Sequence, residues 1–272
     1  MIIFAFSPLP RIFSMQNRIK EKLAANTPAF GAQLRFASPA IAELFGHSGF
    51  DYLVIDTEHA PQTSPGIQAQ LQAIGNTPAT PVVRLSRVDE EQIRLYLDMG
   101  AMGILAPFIN TAEQAEAGAR ACRYPPIGIR GFGPHRASQY GLNTEEYFST
   151  INDQVLFIGL IETAEAVDNI DEILAVEGFD SFIIGPVDLS ISLGVAFDYE
   201  SQVFQDAQAK LADAARRSGK PAGIGVYRPA FEALSLQRAI DDGFSLILAG
   251  GDEPFLTVGC QQLAQIRAGL EY

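Results

Sequence analysis

Eight short apolar, β-branched runs alternate with amphipathic stretches along this chain, and no other feature limits its fold so sharply. The runs are AFGAQLRF (29–36), DYLVIDTE (51–58), PVVRL (81–85), MGILAPF (102–108), VLFIGLIE (155–162), DSFIIGP (180–186), AGIGVY (222–227) and FSLILAG (244–250). Helical patterns follow them over 38–46, 63–74, 88–99, 111–123, 163–176, 199–218, 229–242 and 253–270. Several of these carry helix-start signals: Ser38 with Pro39 at the first helical position, Asp89 and Glu90 in an acidic first turn, and Thr111 with Gln114 three residues on. A repeated tripeptide introduces strands: Gly-Phe-Asp at 49–51 and 178–180, and Gly-Phe-Ser at 243–245. Its glycine ends a helix and its Phe fills the gap between helix and strand. Eight β-α units in roughly 250 residues predict an α/β chain that closes into a single (β/α)8 TIM barrel. An open doubly wound sheet would usually carry GxGxxG after its first strand, where this chain reads LRFASP.

No linker or shift of composition divides the chain. Its start, MIIFAFSPLPRIFS, is apolar but short, has no basic segment ahead of the apolar stretch, and is interrupted by Pro8 and Pro10, which argues against a secretory signal. Residues 1–14 are expected to be a poorly ordered extension, and 15–272 the barrel, opening with a helix in MQNRIKEKLA. Apolar residues make up 47% and charged ones 19%, which excludes a disordered chain or a charged coiled coil. With 19 Lys and Arg against 32 Asp and Glu the net charge is −13, which repels phosphate backbones and argues against a nucleic-acid partner. No apolar run reaches the length of a membrane span. Cys122 and Cys260 form no CxxC pair and read as two buried small hydrophobes of a reduced, cytoplasmic compartment.

Barrel enzymes place their chemistry at the carboxyl ends of the strands. Those ends carry Asp56, Glu58 and His59 after strand two, Arg84 and Arg87 after three, and Glu162 after five. Gly185, Pro186 and Asp188 follow strand six, Tyr227 and Arg228 strand seven, and Gly250, Gly251 and Asp252 strand eight. Charges that close apolar strands at one end need water or partners. Glu162 and Asp188 end adjacent strands. Two hard oxygen donors with open positions suit a divalent cation such as Mg2+ or Mn2+, and they equally suit carboxylates resting on the helices that follow. His59 fits a general base or a structural role. The planar fork of Arg84 matches a carboxylate or an enolate oxygen, and also an ion pair with Glu58 or Asp56. His47 reads as structural, and His135, in the Gly- and Pro-rich connection 124–147, reaches a ligand or faces water. The backbone N–H groups of GPVDLS (185–190) could hold an anion, as could those of Gly250 and Gly251.

Five segments, IDTEHAP (55–61), PVVRLSR (81–87), CRYPPIGIRGFG (122–133), LIETAEAVDNIDEIL (160–174) and FIIGPVDLSISLG (182–194), resemble in this order the HpcH/HpaI aldolase family of class II, metal-dependent pyruvate aldolases. The resemblance runs from residue 17 to residue 270. It implies a carbon–carbon lyase that cleaves or forms 2-oxo-4-hydroxy acids, to or from pyruvate and an aldehyde, through an enolate. It assigns Glu162 and Asp188 to a divalent metal ion, Mg2+ or Mn2+, with Co2+ or Zn2+ compatible with the same donors. It gives Arg84 the keto or enolate oxygen, makes His59 the base acting through a water, and has Asp98 orient that base. The backbone N–H groups of Val187 and Asp188 receive the substrate carboxylate. A homo-oligomer is implied too, commonly a hexamer in which the C-terminal helix is exchanged between subunits. One position departs: where the family usually reads Gln-Ile-Glu-Thr, this chain reads Leu-Ile-Glu-Thr, so Leu160 replaces an amide.

Three other readings use the same residues. A CoA-thioester lyase of the citrate lyase β or malyl-CoA lyase type needs a basic groove for the nucleotide, and this acidic chain shows no such cluster. An oxaloacetate decarboxylase would share the enolate chemistry. A non-catalytic oligomeric scaffold draws support from Leu160 alone. The four lysines (Lys20, Lys22, Lys210, Lys220) fall at no predicted strand end, which argues against a Schiff-base aldolase.

Overall fold

A computed structural model describes residues 16–226 and 233–270 of the chain. The expected extension 1–14, and Tyr227 and Arg228 beyond the seventh strand, lie outside the described residues. Eight parallel strands close into a barrel in chain order. They are β1 (Ala29–Leu34), β2 (Tyr52–Asp56), β3 (Thr80–Arg84), β4 (Gly103–Ala106), β5 (Leu156–Ile161), β6 (Ser181–Ile184), β7 (Ala222–Val226) and β8 (Leu246–Gly251). The helix α1 (Arg18–Ala24) precedes β1; α2 (Pro39–His47), α3 (Ser64–Ile74), α4 (Glu90–Asp98) and α5 (Ala112–Ala121) follow the first four strands. The expected starts hold, because each depends on local chemistry. Ser38, Asp89 and Thr111 accept from the N–H groups of Ile41, Gln92 and Gln114, and Thr111 with Gln114 completes a capping box.

Strand side chains alternate between two layers. Tyr52, Val54, Val82, Leu105, Ile158, Leu160, Ile183 and Leu248 fill the barrel interior. Their neighbours Leu53, Ile55, Val83, Ile104, Phe157, Phe182 and Ile184 pack outward under the helices. Gly31 faces the interior, where a Cβ would overlap the Tyr52 ring. Continued upward, the same alternation carries Gln33, Asp56, Arg84, Glu162 and Gly185 to the mouth.

The tripeptide repeat performs one task three times. Gly49, Gly178 and Gly243 take φ of +95°, +80° and +96°, a region that favours glycine. Phe179 and Phe244 are fully buried, and Phe50 stacks on Phe45. The aspartates match as well. Asp51 accepts from the N–H of Phe30 and from Arg18, while Asp180 accepts from the N–H of Phe157 and from Arg123, so each ties its unit to the preceding strand or its neighbour.

Some expectations are corrected. The stretch after residue 143 holds a helix, α6 (Thr144–Gln154), that neither cap nor periodicity announces. Asn143 makes no side-chain cap, and only Tyr147 and Ile151, one turn apart, are buried. The pattern over 163–176 breaks at Asn169 into α7 (Ala164–Asp168) and α8 (Ile170–Ala175). A short α9 (Pro186–Ser192) opens after β6, ahead of α10 (Gln202–Ser218). Beyond β7, α11 is described over Ala233–Asp241. The last helix, α12 (Asp252–Ala268), buries only Asp252, and Leu256, Leu263 and Ile266 stand 51%, 67% and 64% exposed. Cys260 lies on it and is exposed, contrary to the reading of two buried thiols, because this helix packs against so little of its own barrel. Cys122 is buried, and burial raises its pKa to about 12.

Candidate active site

A cavity of about 660 Å³ opens at the carboxyl ends of the strands. Its wall includes Gln33, His59, Arg84, Leu160, Glu162, Gly185, Val187, Asp188, Gly250 and Gly251, and α12 adds Asp252, Glu253, Pro254 and Thr257 at the rim. Five of the six residues singled out for chemistry (His59, Arg84, Glu162, Val187 and Asp188) therefore face one space. The sixth, Asp98, does not.

Glu162 is 1% exposed at the end of β5. Its Oε1 accepts from the N–H of Phe108 at 2.8 Å. Burial is the main influence on its pKa and lifts it to about 7; the Phe108 N–H and Arg84 oppose the rise, and Asp188 and Glu58 add to it. Phe108 delivers that N–H from a left-handed backbone, φ +50°, which costs about 1 kcal/mol for a residue with a side chain. The other oxygen, Oε2, lies against Gly185, where a Cβ would stand only 2.8 Å from it. Glycine there leaves room for the Glu162 side chain, and Asp188 follows in the first turn of α9.

A buried carboxyl that ionises reluctantly, with one oxygen committed to a backbone donor and Asp188 lining the same cavity, fits a divalent cation with hard-oxygen ligands. Among the described residues no three His, Cys, Asp or Glu side chains converge as a complete ligand set. A cation held by Glu162 and Asp188 would take its remaining ligands from water or from a bound substrate. A cation must displace the proton of Glu162. Apparent Mn2+ affinity is therefore expected to fall about tenfold per pH unit below pH 7 and to level off above it, as titration calorimetry between pH 5.5 and 8.5 would register. The sign follows from the raised pKa: below it the acid form persists and competes with the cation.

Arg84 is held on both prongs. Its Nη2 lies 2.5 Å from Oε2 of Glu58 and its Nη1 lies 3.7 Å from Oδ2 of Asp56, so both ion pairs anticipated for it form together. The buried Nε has no hydrogen-bond partner among the described residues. Burial also raises the pKa of Glu58, against the pull of Arg84. Asp56, fully buried, gathers this corner. It accepts from Gln33 Nε2 at 2.7 Å and from the N–H groups of Glu58 and His59 at 3.0 and 3.1 Å. The turn that carries His59 is thereby fastened to β2, while the His59 side chain stays 52% exposed beside Glu58.

Asp98 closes α4, which runs back from the barrel's mouth to the amino ends of the strands, and its carboxylate binds Arg130 at 2.6 Å. Within one chain it lies at the other end of the barrel from His59. His135 rests edge-on against Tyr140 and does not line the cavity. Gly250 and Gly251 line the cavity, and Asp252 after them accepts from the N–H groups of Arg35, Phe36 and Glu253. The lysines are engaged elsewhere: Lys20 with the Asp153 carbonyl, Lys22 with Asp51, Lys210 with Asp168, and Lys220 with the Val176 carbonyl. Sequence reasoning gave Gln33 no part in this site and Asp56 none beyond pairing with Arg84. The available signal was parity, since each stands two residues beyond an inward-facing position.

A parallel eight-stranded barrel that gathers Glu162, Asp188, Arg84 and His59 around one cavity at the carboxyl ends of its strands has the architecture of a barrel enzyme with its active site at the mouth. The sequence profile of the HpcH/HpaI aldolase/citrate lyase family matches residues 31–242, and the chain belongs to that family. It is 39% identical over 252 residues to a 4-hydroxy-2-oxo-heptane-1,7-dioate aldolase of Klebsiella pneumoniae, covering 92% of this chain and 93% of that enzyme. It is 43% identical over 213 residues to a 4-hydroxy-2-oxovalerate aldolase of Novosphingobium aromaticivorans, covering 76% and 79%. The crystal structure of an HpcH/HpaI aldolase from Desulfitobacterium hafniense superposes with a TM-score of 0.87 at 30% identity, covering 93% of this chain and 97% of that one.

Proposed function

We propose that this protein is a metal-dependent aldolase that cleaves 2-oxo-4-hydroxy acids to pyruvate and an aldehyde and forms them in reverse. The observation that carries the reading is the convergence of Glu162, Asp188 and Arg84 on one cavity. Relatives named for aldol chemistry on 4-hydroxy-2-oxo acids support it. Glu162 and Asp188 would hold the divalent cation, Mg2+ or Mn2+, which when bound supplies Lewis acidity to the keto oxygen.

The other residues do the remaining work. The N–H groups of Val187 and Asp188, at the start of α9, hold the substrate carboxylate. Arg84, steadied by Glu58 and Asp56, donates to the oxygen on which negative charge grows as C3–C4 breaks. His59, acting through a water, takes the proton of the 4-hydroxyl. The 4-hydroxyl carbon leaves as the aldehyde carbonyl, the C3–C4 electron pair passes into the pyruvate enolate, and protonation at C3 yields pyruvate. Because α4 leads away from the mouth, the orienting role given to Asp98 is open only to an Asp98 from another copy of the chain.

The reaction is tested by pyruvate release over a panel of 2-oxo-4-hydroxy acids, CoA thioesters and oxaloacetate. Turnover of the first group with added Mg2+ or Mn2+ supports the reading, and turnover of thioesters alone contradicts it. A homo-oligomer is proposed as well, because α12 carries an apolar stripe that its own barrel leaves uncovered. Light scattering at micromolar concentration is expected to give a multimer, and removal of residues 252–272 a smaller species.

A further inference from the structure

We infer that Gln33 is a specificity-determining residue that reads a hydroxyl group on the aldehyde half of the substrate. The inference rests on the aldolase reading above and extends it to a substrate class, the 2-oxo-4-hydroxy acids whose aldehyde fragment bears a hydroxyl beside the carbonyl.

Gln33 is 4% exposed and forms part of the cavity wall. Its amide orientation is fixed by its partner. The Asp56 carboxylate can only accept, so the atom 2.7 Å from it is Nε2, the donor. The amide oxygen is thereby turned away from Asp56. No donor among the described residues bonds it, and it is not among the side-chain oxygens sealed from solvent. A buried amide with a fixed orientation and an accessible acceptor on a cavity wall is matched by a ligand that donates a hydrogen bond.

The position in the barrel says which part of the substrate that is. In the closed strand order, β1 lies opposite β5. Glu162 follows β5, Asp188 opens the helix after β6 and Arg84 ends β3, so a keto acid held by them occupies that side of the mouth. Atoms beyond C3 extend toward β8 and β1, where Gln33 waits. On this side Asp252 is buried and bonded to three backbone N–H groups, and the Arg35 head is held by Glu253 at 2.9 Å and Asp56 at 3.4 Å, so the Gln33 amide oxygen is the acceptor turned to the cavity. A group entering there gains by donating. On the opposite wall the apolar Leu160 offers no hydrogen bond, which leaves Gln33 to do the discriminating.

The test compares two substrates that differ by one hydroxyl, 4,5-dihydroxy-2-oxopentanoate (releasing glycolaldehyde) and 4-hydroxy-2-oxopentanoate (releasing acetaldehyde). The wild type is expected to favour the first by about tenfold or more in kcat/KM, since a site built to bond a hydroxyl rejects the analogue that lacks it. Gln33→Leu, and Gln33→Met as a second variant of similar length, are expected to bring that ratio to within about threefold of unity. The ratio is taken within each protein, so a general loss of active enzyme cancels. No preference in the wild type, or a preference kept in both variants, overturns the inference. Failure of the wild type to release pyruvate from either acid sinks the aldolase reading itself, a different result from turnover of both at equal rates.

Discussion

Glu162→Gln is expected to lower divalent-metal affinity by more than about a hundredfold and metal-supported turnover with it, because the loss of even an outer-shell partner costs ten- to a hundredfold. Stability should move the other way. In the metal-free protein Glu162 has its pKa raised to about 7 by burial. Its ionisation therefore weakens the fold as pH rises from the ordinary carboxyl range through 7. Glutamine still has an oxygen for the Phe108 N–H and carries no charge. At pH 8, without metal, the variant should melt higher than the wild type, and added Mn2+ should raise the wild type alone. A purely structural Glu162 would give no metal-dependent difference between the two proteins.

Arg84→Ala is expected to cut kcat by about 10²–10³ at saturating metal, the usual loss when one donor to a developing oxyanion is removed. Metal affinity should change far less than in Glu162→Gln, and this separates the two roles. Stability should fall by roughly 1–3 kcal/mol, since Glu58 and the fully buried Asp56 lose their shared cation. Arg84→Lys should restore little. One ammonium cannot reach Glu58 and Asp56 and also supply a donor in the place of Nε. Single-turnover pyruvate release and urea melts check both halves of this expectation.

The parts of the fold that rest on neighbouring residues were legible in the sequence. Strands showed as β-branched runs, helix starts as Ser38, Asp89 and Thr111, and the Gly-Phe-Asp junctions as a repeat. The helix at 144–154 was not legible, because its two buried residues sit on one turn and its start has no side-chain cap. At the mouth, charged residues announced themselves by closing apolar strands. Gln33 and the wider role of Asp56 did not, because their bonds join β1, β2 and β3 across 23 and 28 residues, a pairing that strand register creates and local sequence hides. Asp98 shows the reverse case. A role implied by resemblance met a helix that runs the wrong way for it within one chain.

A cation held by Glu162 and Asp188 would make the pyruvate enolate accessible. The most direct test is the initial rate of pyruvate release from a 2-oxo-4-hydroxy acid by EDTA-treated protein, titrated with Mn2+, for the wild type and Glu162→Gln side by side. The account predicts no rate before Mn2+ is added, saturable recovery in the wild type, and none at the same concentrations in the variant. An EDTA-treated Glu162→Gln protein that keeps the full wild-type rate would contradict it.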